Sequence, residues 1–202
     1  MTRVRADDYE AKRQTILDKA AALIARKGFD VATMMDVAKA CGASKSHLYH
    51  YFPGKEDLLY AIVCEHITAQ TAELRAIVAQ PLPAEQRFAR FVDSFMQGAA
   101  RSRNEHLILM NDIKFLPKAQ LDEIRRMEVD MTGMMESLLR EINPDLMADK
   151  RIQKPYSLLL FGMMIWTFSW YRKTGSITPR ELAQRISDLF IHGFKALPLE
   201  PG

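Results

Sequence analysis

Apolar residues recur at spacings of three and four along most of the chain, which is the period of amphipathic α-helices. In the first such segment, residues 9–27, Ile16, Ala20 and Ile24 fall on one face, and Gly28 follows where a helix would end. No segment alternates apolar and polar residues as a half-buried strand does. The pattern therefore predicts an all-α protein.

The same period, interrupted by proline, glycine and Asn-Pro stops, predicts the remaining helices. They cover residues 33–41, 44–52, 55–78, 84–100, 105–116, 118–142, 149–173 and a last segment that begins after Thr178 and runs to Leu197. We place a domain boundary inside the long helix 55–78, near Ala61. This gives a first domain at 1–60 and a second, larger helical domain at 61–202.

One segment, TMMDVAKACGASKSHLYHYFPGKE, has the order of signals expected for two short helices around a tight turn. Thr33 is a helix cap with Asp36 three residues further on, Gly42 supplies the turn, and Ser44 caps the second helix. Pro53 ends that helix, because proline cannot continue the backbone hydrogen bonding. Two such helices form a helix-turn-helix unit, whose second helix enters the major groove of DNA.

Positive charge is concentrated around this segment. The whole chain carries a net charge of only +3, but residues 12–55 hold eight basic residues against three acidic ones. A local excess of this kind is the electrostatic mark of phosphate binding. Arg3 and Arg5 would extend it as an N-terminal arm.

The run SKSHLYHYFPGKEDLL, with the turn glycine and the helix cap in register before it, resembles the DNA-binding domain of the tetracycline-repressor (TetR) family of bacterial regulators. The resemblance covers the first ~60 residues. It implies an all-helical homodimer, in which a three-helix first domain binds double-stranded operator DNA and the second domain binds a small effector. In such proteins the effector spreads the two recognition helices and releases the operator.

A set of residues at the helix N-termini and on the recognition helix is predicted to contact DNA. The set is Thr33, Ser44, Lys45, Ser46, His47, Tyr49, His50 and Lys55. Lys45, Ser46 and His47 begin the recognition helix, where base edges come within reach, and the others are assigned to phosphates. Leu48 and Phe52 should face inward and anchor the helix.

The second domain resembles one branch of the family in its segment WTFSWYRKTG, residues 166–175, and in the helix that follows. That branch regulates the breakdown of phenylacetate, fatty acids or sterol rings, although Lys173 stands where it often has proline. The resemblance implies an acyl-coenzyme A thioester as effector, such as phenylacetyl-coenzyme A or a fatty acyl-coenzyme A. The alternative is the regulator of an efflux pump that responds to hydrophobic drugs.

Methionine and aromatic side chains of the second domain are predicted to line one adaptable cavity between helices. They are Phe91, Phe95, Phe115, Met127, Met131, Met134, Met164, Trp166 and Trp170. The competing interpretation is that these residues simply form the core. Coenzyme A phosphates would also need cations, for which the candidates are Arg87, Arg90, Arg101, Arg103 and Arg172.

The last two helices carry apolar stripes that we expect to pair with a second copy of the chain as a four-helix bundle. A two-fold dimer places its recognition helices about 34 Å apart, so the operator should be near-palindromic.

Other classes of function find less support in the sequence. No Gly-rich phosphate loop, nucleophile triad or isolated carboxylate pair indicates an enzyme, and we expect neither a metal nor a cofactor besides the effector. A redox sensor built on Cys41 or Cys64 lacks basic neighbours that would activate the thiol. A module that binds only another protein would not show salt-dependent DNA binding. Two cysteines and the absence of a signal-peptide or membrane-spanning pattern favour the cytoplasm.

Overall fold

The computed structural model describes residues 2–172 and 174–196, with side chains from residue 8 onward. This part of the chain contains nine α-helices and no strand, so the all-α prediction is confirmed. The helices are α1 (Thr2–Lys27), α2 (Met34–Cys41), α3 (Lys45–Tyr51), α4 (Lys55–Val78), α5 (Ala84–Arg101), α6 (Arg103–Asn111), α7 (Lys118–Ile142), α8 (Lys150–Trp170) and α9 (Pro179–Ala196). Lys173 and Leu197, which entered the sequence predictions, lie outside the described residues.

The helices divide into two compact units. The first unit comprises the described residues up to Ile67 together with Ser102–Arg125, and the second comprises Thr68–Arg101 and the described residues from Arg126 onward. The division in α4 therefore follows Ile67 and not Ala61. Helix α6 belongs to the first unit, whereas the sequence assigned it to the second domain, because its buried side chains pack against α1.

In the first unit, α1 packs against α2, and α2 packs against α3. Ala20 and Ile24 of α1, Leu48 of α3 and Leu58 of α4 are among the fully buried side chains of this unit. Helix α1 begins at Thr2, since no proline or glycine interrupts the segment 2–27. The backbone of Arg3 and Arg5 is thus helical, which replaces the predicted arm.

Helix α6 is shorter than predicted. It ends at Asn111, and a 3₁₀ turn, Ile113–Phe115, follows. Pro117 acts only on its neighbour, because the residue before a proline is pushed out of the helical conformation. Leu116 is accordingly extended, with ψ 143°.

In the second unit, α5 and α9 pack together, and both contact α8. Phe88, Phe91 and Val92 are fully buried on α5. Helix α9 starts as predicted, with Pro179 as its first residue. The Thr178 hydroxyl accepts the N–H of Glu181 at 3.2 Å, and the Glu181 carboxylate accepts the N–H of Thr178 at 2.8 Å. None of the described helices is both long enough and apolar enough to cross a bilayer.

Candidate DNA-binding surface and effector region

Local hydrogen bonds shape the helix-turn-helix as the sequence predicted. The Thr33 hydroxyl accepts the N–H of Asp36 at 3.1 Å, and the Asp36 carboxylate accepts the N–H of Thr33 at 3.1 Å. The Thr33 hydroxyl also donates to the Asp36 carboxylate at 2.9 Å, and this bond, together with the one from the Thr33 N–H, lowers the pKa of Asp36, so its carboxylate stays charged at the positive end of α2. Gly42 ends α2 in the left-handed conformation, with φ +65°, and the Ser44 hydroxyl accepts the N–H of His47 at 3.1 Å.

Helix α3 presents nearly all of its side chains to solvent. Leu48 is fully buried and anchors the helix, as predicted, and Phe52 is buried immediately after it. The predicted DNA contacts on and before the helix are exposed together: Ser44, Lys45, Ser46, His47, Tyr49 and His50. Thr33 is exposed as well, although its hydroxyl is already held within the cap of α2. A short exposed helix with one buried anchor is the geometry needed to enter a major groove.

Tyr51, the last residue of α3, attaches this helix to α1, a role that the sequence did not suggest. Its ring stacks on Tyr9 of α1, with centroids 4.6 Å apart, and meets the edges of His47 at 5.3 Å and His50 at 5.5 Å. Such aromatic pairs add packing energy and fix ring orientation. Tyr51 is the last residue of α3, so its stack on Tyr9 attaches the recognition helix to α1 beside two predicted DNA contacts.

The structure gives Lys55 a different role from the predicted phosphate contact. Its ammonium donates to the carbonyl oxygens of Phe29 at 2.7 Å and Ala32 at 3.0 Å, and it lies 4.3 Å from the centroid of the Phe29 ring. The predicted phosphate contact is thus replaced by a structural one. Phe29 and Ala32 lie in the loop between α1 and α2, and Lys55 closes this loop by donating to their carbonyl groups.

Four of the nine residues predicted to line a cavity are core residues. Phe91, Phe95, Met131 and Met164 are buried in the second unit. Phe161 fills the space beside the two phenylalanines, with ring centroids 6.2 Å from Phe91 and 5.4 Å from Phe95. The competing interpretation from the sequence, a packed core, describes these four residues better than a cavity does.

Three further predicted cavity residues lie elsewhere. Phe115 belongs to the first unit, where its ring packs on Phe29 at 5.1 Å between centroids. Trp166 and Trp170 point outward from α8, with 71% and 53% of their surface exposed. They are therefore not enclosed between helices of the single chain, because α8 buries its opposite face against the core.

Met134 is half-buried on α7, and Met127 lines a groove between α4 and α7 in the second unit. The groove has a volume of about 580 Å³. Its lining includes Thr71, Ala72, Arg75, Ala76, Met127 and Asp130. Among the predicted effector residues, Met127 is thus the one in contact with this open space.

The candidate cations differ in their availability. Arg87 donates to the carbonyl oxygens of Leu82 at 2.9 Å and Val78 at 3.1 Å and pairs with Glu141, so it ties α5 to neighbouring elements. Arg90 donates to the Gln80 side chain at 2.7 Å. Arg101 lines a second groove of about 600 Å³ in the second unit.

Both cysteines are free thiols. Burial raises the pKa of Cys41, which keeps this thiol protonated and slow to react. This property argues against a redox sensor at Cys41.

The chain matches two families of known proteins. Residues 16–62 match the family described as bacterial regulatory proteins, tetR family, and residues 81–194 match the tetracyclin repressor-like, C-terminal domain family. The protein therefore belongs to the TetR family and is a transcriptional regulator with a helix-turn-helix, not an enzyme.

Named relatives and solved structures agree with this assignment. The repressor KstR2 of Rhodococcus jostii (strain RHA1) is 24% identical over 198 residues, covering 96% of this chain and 97% of the relative. A TetR-family regulator from Bordetella parapertussis 12822 has a TM-score of 0.85 at 32% identity, covering 93% of this chain and 98% of that chain. AibR, solved with isovaleryl coenzyme A and operator DNA, has a TM-score of 0.79 at 20% identity, covering 88% of this chain and 97% of that chain, and so shares the fold.

Proposed function

We propose that the protein is a ligand-responsive repressor that binds a near-palindromic operator as a homodimer and leaves it when an acyl-coenzyme A thioester binds the second unit. The observation that carries the DNA-binding part is the exposed α3, which Leu48 anchors and whose first residues, Lys45, Ser46 and His47, face solvent. Residues at this end of a recognition helix reach base edges.

Dimer formation is supported by apolar surface on α8 and α9. Leu159, Trp166 and Trp170 are exposed along α8, and Leu189 is exposed on α9. Exposed large apolar side chains on neighbouring helices favour an association surface there. A two-fold axis through such a patch presents two copies of α3, which fits two half-sites about one DNA turn apart.

The effector class is supported by similarity. AibR was solved with isovaleryl coenzyme A, and the sequence resembles the branch of the family that responds to acyl-coenzyme A thioesters. An effector shifts the equilibrium between two conformations only by its difference in affinity for them. We therefore propose that the thioester binds more tightly to a form in which the spacing of the recognition helices no longer fits the operator.

A release assay tests the effector. An operator would be selected from random DNA with the purified protein, and phenylacetyl-, octanoyl- and palmitoyl-coenzyme A would be added to the complex beside the matching free acids and coenzyme A alone. We expect one thioester to release the operator and its free acid to leave the complex intact. Release by hydrophobic drugs alone would support the efflux-pump alternative, and release by no compound would contradict ligand control by these classes.

The variants Lys45→Ala and Lys55→Ala distinguish a lysine that contacts DNA from a lysine that stabilises the fold. We expect Lys45→Ala to weaken operator binding by about 1–3 kcal/mol per half-site with little effect on thermal stability, because its side chain is exposed. Lys55→Ala should lower the unfolding free energy by about 1–3 kcal/mol, because it leaves the carbonyl groups of Phe29 and Ala32 without their donor.

Fluorescence anisotropy over a series of salt concentrations and operator variants would measure the first effect, and thermal denaturation the second. A loss confined to one base-pair position assigns Lys45 to a base edge, whereas a uniform loss with a shallower salt dependence assigns it to phosphate. Unchanged operator affinity in Lys45→Ala would contradict the proposed use of α3.

A further inference from the structure

Helix α1 contacts the end of the recognition helix with two side chains that are one turn apart. The first is Tyr9, which stacks on Tyr51. Four residues further along α1, the Cζ atom of Arg13 lies 5.5 Å from the centroid of the Phe52 ring, which is buried and ends α3. A guanidinium at this distance from an aromatic ring is attracted to its face. Helix α1 therefore contacts α3 through both aromatic residues at its C-terminal end.

Arg13 also pairs with a carboxylate on a third helix. Its guanidinium donates to the carboxylate of Glu65 on α4, and the exposed fractions of the two side chains are only 26% and 38%. Partial burial strengthens such a pair, because water and salt screen its charges less than they screen a pair on the open surface. The neighbouring pair of Lys12 with Asp8 differs, since both of its side chains are more than half exposed. Arg13 thus joins α1, the end of α3 and α4 at one point.

The direction of α3 depends on such contacts with other helices. The helix spans only seven residues, and Leu48 is the side chain that it buries. A helix of this length is not stable by itself, so neighbouring helices determine how it lies. Contacts with base edges depend on that direction, because hydrogen bonds weaken steeply when donor and acceptor are misaligned.

We propose that Arg13 is a positioning residue for operator recognition, which holds α3 in the direction that base contacts require without touching DNA itself. Its charge pair with Glu65 keeps the guanidinium against the ring of Phe52. This inference rests on the proposed use of α3 in operator binding. It implies that the negative charge of Glu65 favours binding to the operator, although a negative charge by itself is repelled by DNA phosphates.

Glu65→Gln tests the pair, because net charge and positioning predict opposite results. If only net charge matters, loss of a negative charge raises the affinity for DNA of any sequence. We expect Glu65→Gln instead to lower the ratio of operator affinity to random-sequence DNA affinity about 5–10-fold. Glu56→Gln is the matched control, since it makes the same substitution at an exposed position of α4, and its ratio should stay within about twofold of the wild type.

Arg13→Met tests the same contact from the other side. It removes the guanidinium and keeps an apolar side chain, and we expect the ratio to fall as far as in Glu65→Gln. The double variant should match either single variant within about twofold, because each substitution already breaks the one contact. Arg26→Met removes the same charge from an exposed position of α1, so it should lower the affinity for both DNAs alike and leave the ratio unchanged.

Fluorescence anisotropy at constant salt would measure both affinities in the full-length protein, at a temperature where thermal denaturation shows every variant to be folded. A ratio that stays within twofold of the wild type in Glu65→Gln and Arg13→Met would overturn the positioning role. Two independent losses that add in the double variant would overturn it as well. The same holds if Arg13→Met weakens binding to both DNAs equally with a shallower salt dependence, which would assign Arg13 to a phosphate.

Lys45→Ala, measured beside these variants, separates the two proposals. If Lys45→Ala keeps the wild-type operator affinity, the proposed use of α3 is wrong, and the positioning role is wrong with it. If Lys45→Ala loses affinity while Arg13→Met and Glu65→Gln keep the wild-type ratio, α3 binds the operator and only the role of Arg13 is refuted. A loss in all three variants, with Glu56→Gln and Arg26→Met unchanged in ratio, is the result that we expect.

Discussion

Leu189→Glu is expected to convert the protein from a dimer to monomers and to remove most of its operator affinity. Leu189 is 72% exposed on α9 in the single chain, and the apolar side chains of α8 are exposed in the same unit. In a two-fold dimer one substitution buries two charges, each without a partner, and the desolvation cost is several kcal/mol. We therefore expect the dimer dissociation constant to rise at least ~100-fold.

Operator binding should fall with the dimer, because two linked recognition helices bind far more tightly than one. Sedimentation equilibrium would give the association state, and fluorescence anisotropy the operator affinity. Val129→Glu is the matched control, since Val129 is 60% exposed and belongs to a different helix, α7. A dimer that survives Leu189→Glu, or one that Val129→Glu disrupts equally, would place the interface on another surface.

Features that depend on neighbouring residues were predictable from the sequence. The cap at Thr33 needs Asp36 three residues further on, and the turn at Gly42 needs a residue that tolerates positive φ, so short-range chemistry determines both. Pro117 acts on Leu116 for a similar local reason, whereas α6 ends at Asn111, earlier than its sequence pattern predicted.

Long-range partners were not predictable in the same way. Lys55 looked like a phosphate contact because it opens α4 beside a basic segment, but its acceptors, Phe29 and Ala32, are 26 and 23 residues earlier in the chain. The spacing of apolar residues also identifies the apolar face of a helix, but it does not identify what packs against that face. Phe91 turned out to face the core of its own unit, whereas Trp166 faces outward on a helix with the same kind of pattern.

Two histidines should make the protein less stable as the pH falls below neutrality. His66 of α4 and His106 of α6 are both buried in the first unit, with ring centroids 5.9 Å apart. The pKa of each is lowered to about 4 from the usual 6.5, mainly by burial and, for His106, also by the neighbouring His66. The Nε2 atom of His66 has no hydrogen-bond partner among the described residues, so no acceptor stabilises its charged form.

The direction of the effect follows from which state binds the proton. Between pH 6.5 and about 4 the unfolded chain protonates both histidines while the folded chain keeps them neutral. The contribution of the two histidines to the free energy of unfolding is constant above pH 6.5 and is lost as the pH falls through this window. We expect the free energy of unfolding to fall with a slope that approaches ~1.4 kcal/mol per pH unit for each histidine. Urea denaturation between pH 6.5 and 5 would measure this slope, since most carboxylates titrate below that range.

Substitution separates this effect from general acid sensitivity. His66→Gln and His106→Gln keep a polar side chain that does not titrate, and each should reduce the slope by about half. His192→Gln is the matched control, because it makes the same substitution at an exposed position of α9. If the pH dependence of the unfolding free energy were unchanged in both His66→Gln and His106→Gln, the two rings would be protonated in the folded protein, and the prediction would be wrong. The first unit carries α3, so its partial unfolding below pH 6 would also lower operator affinity, and His66→Gln would retain binding to a lower pH than the wild type does.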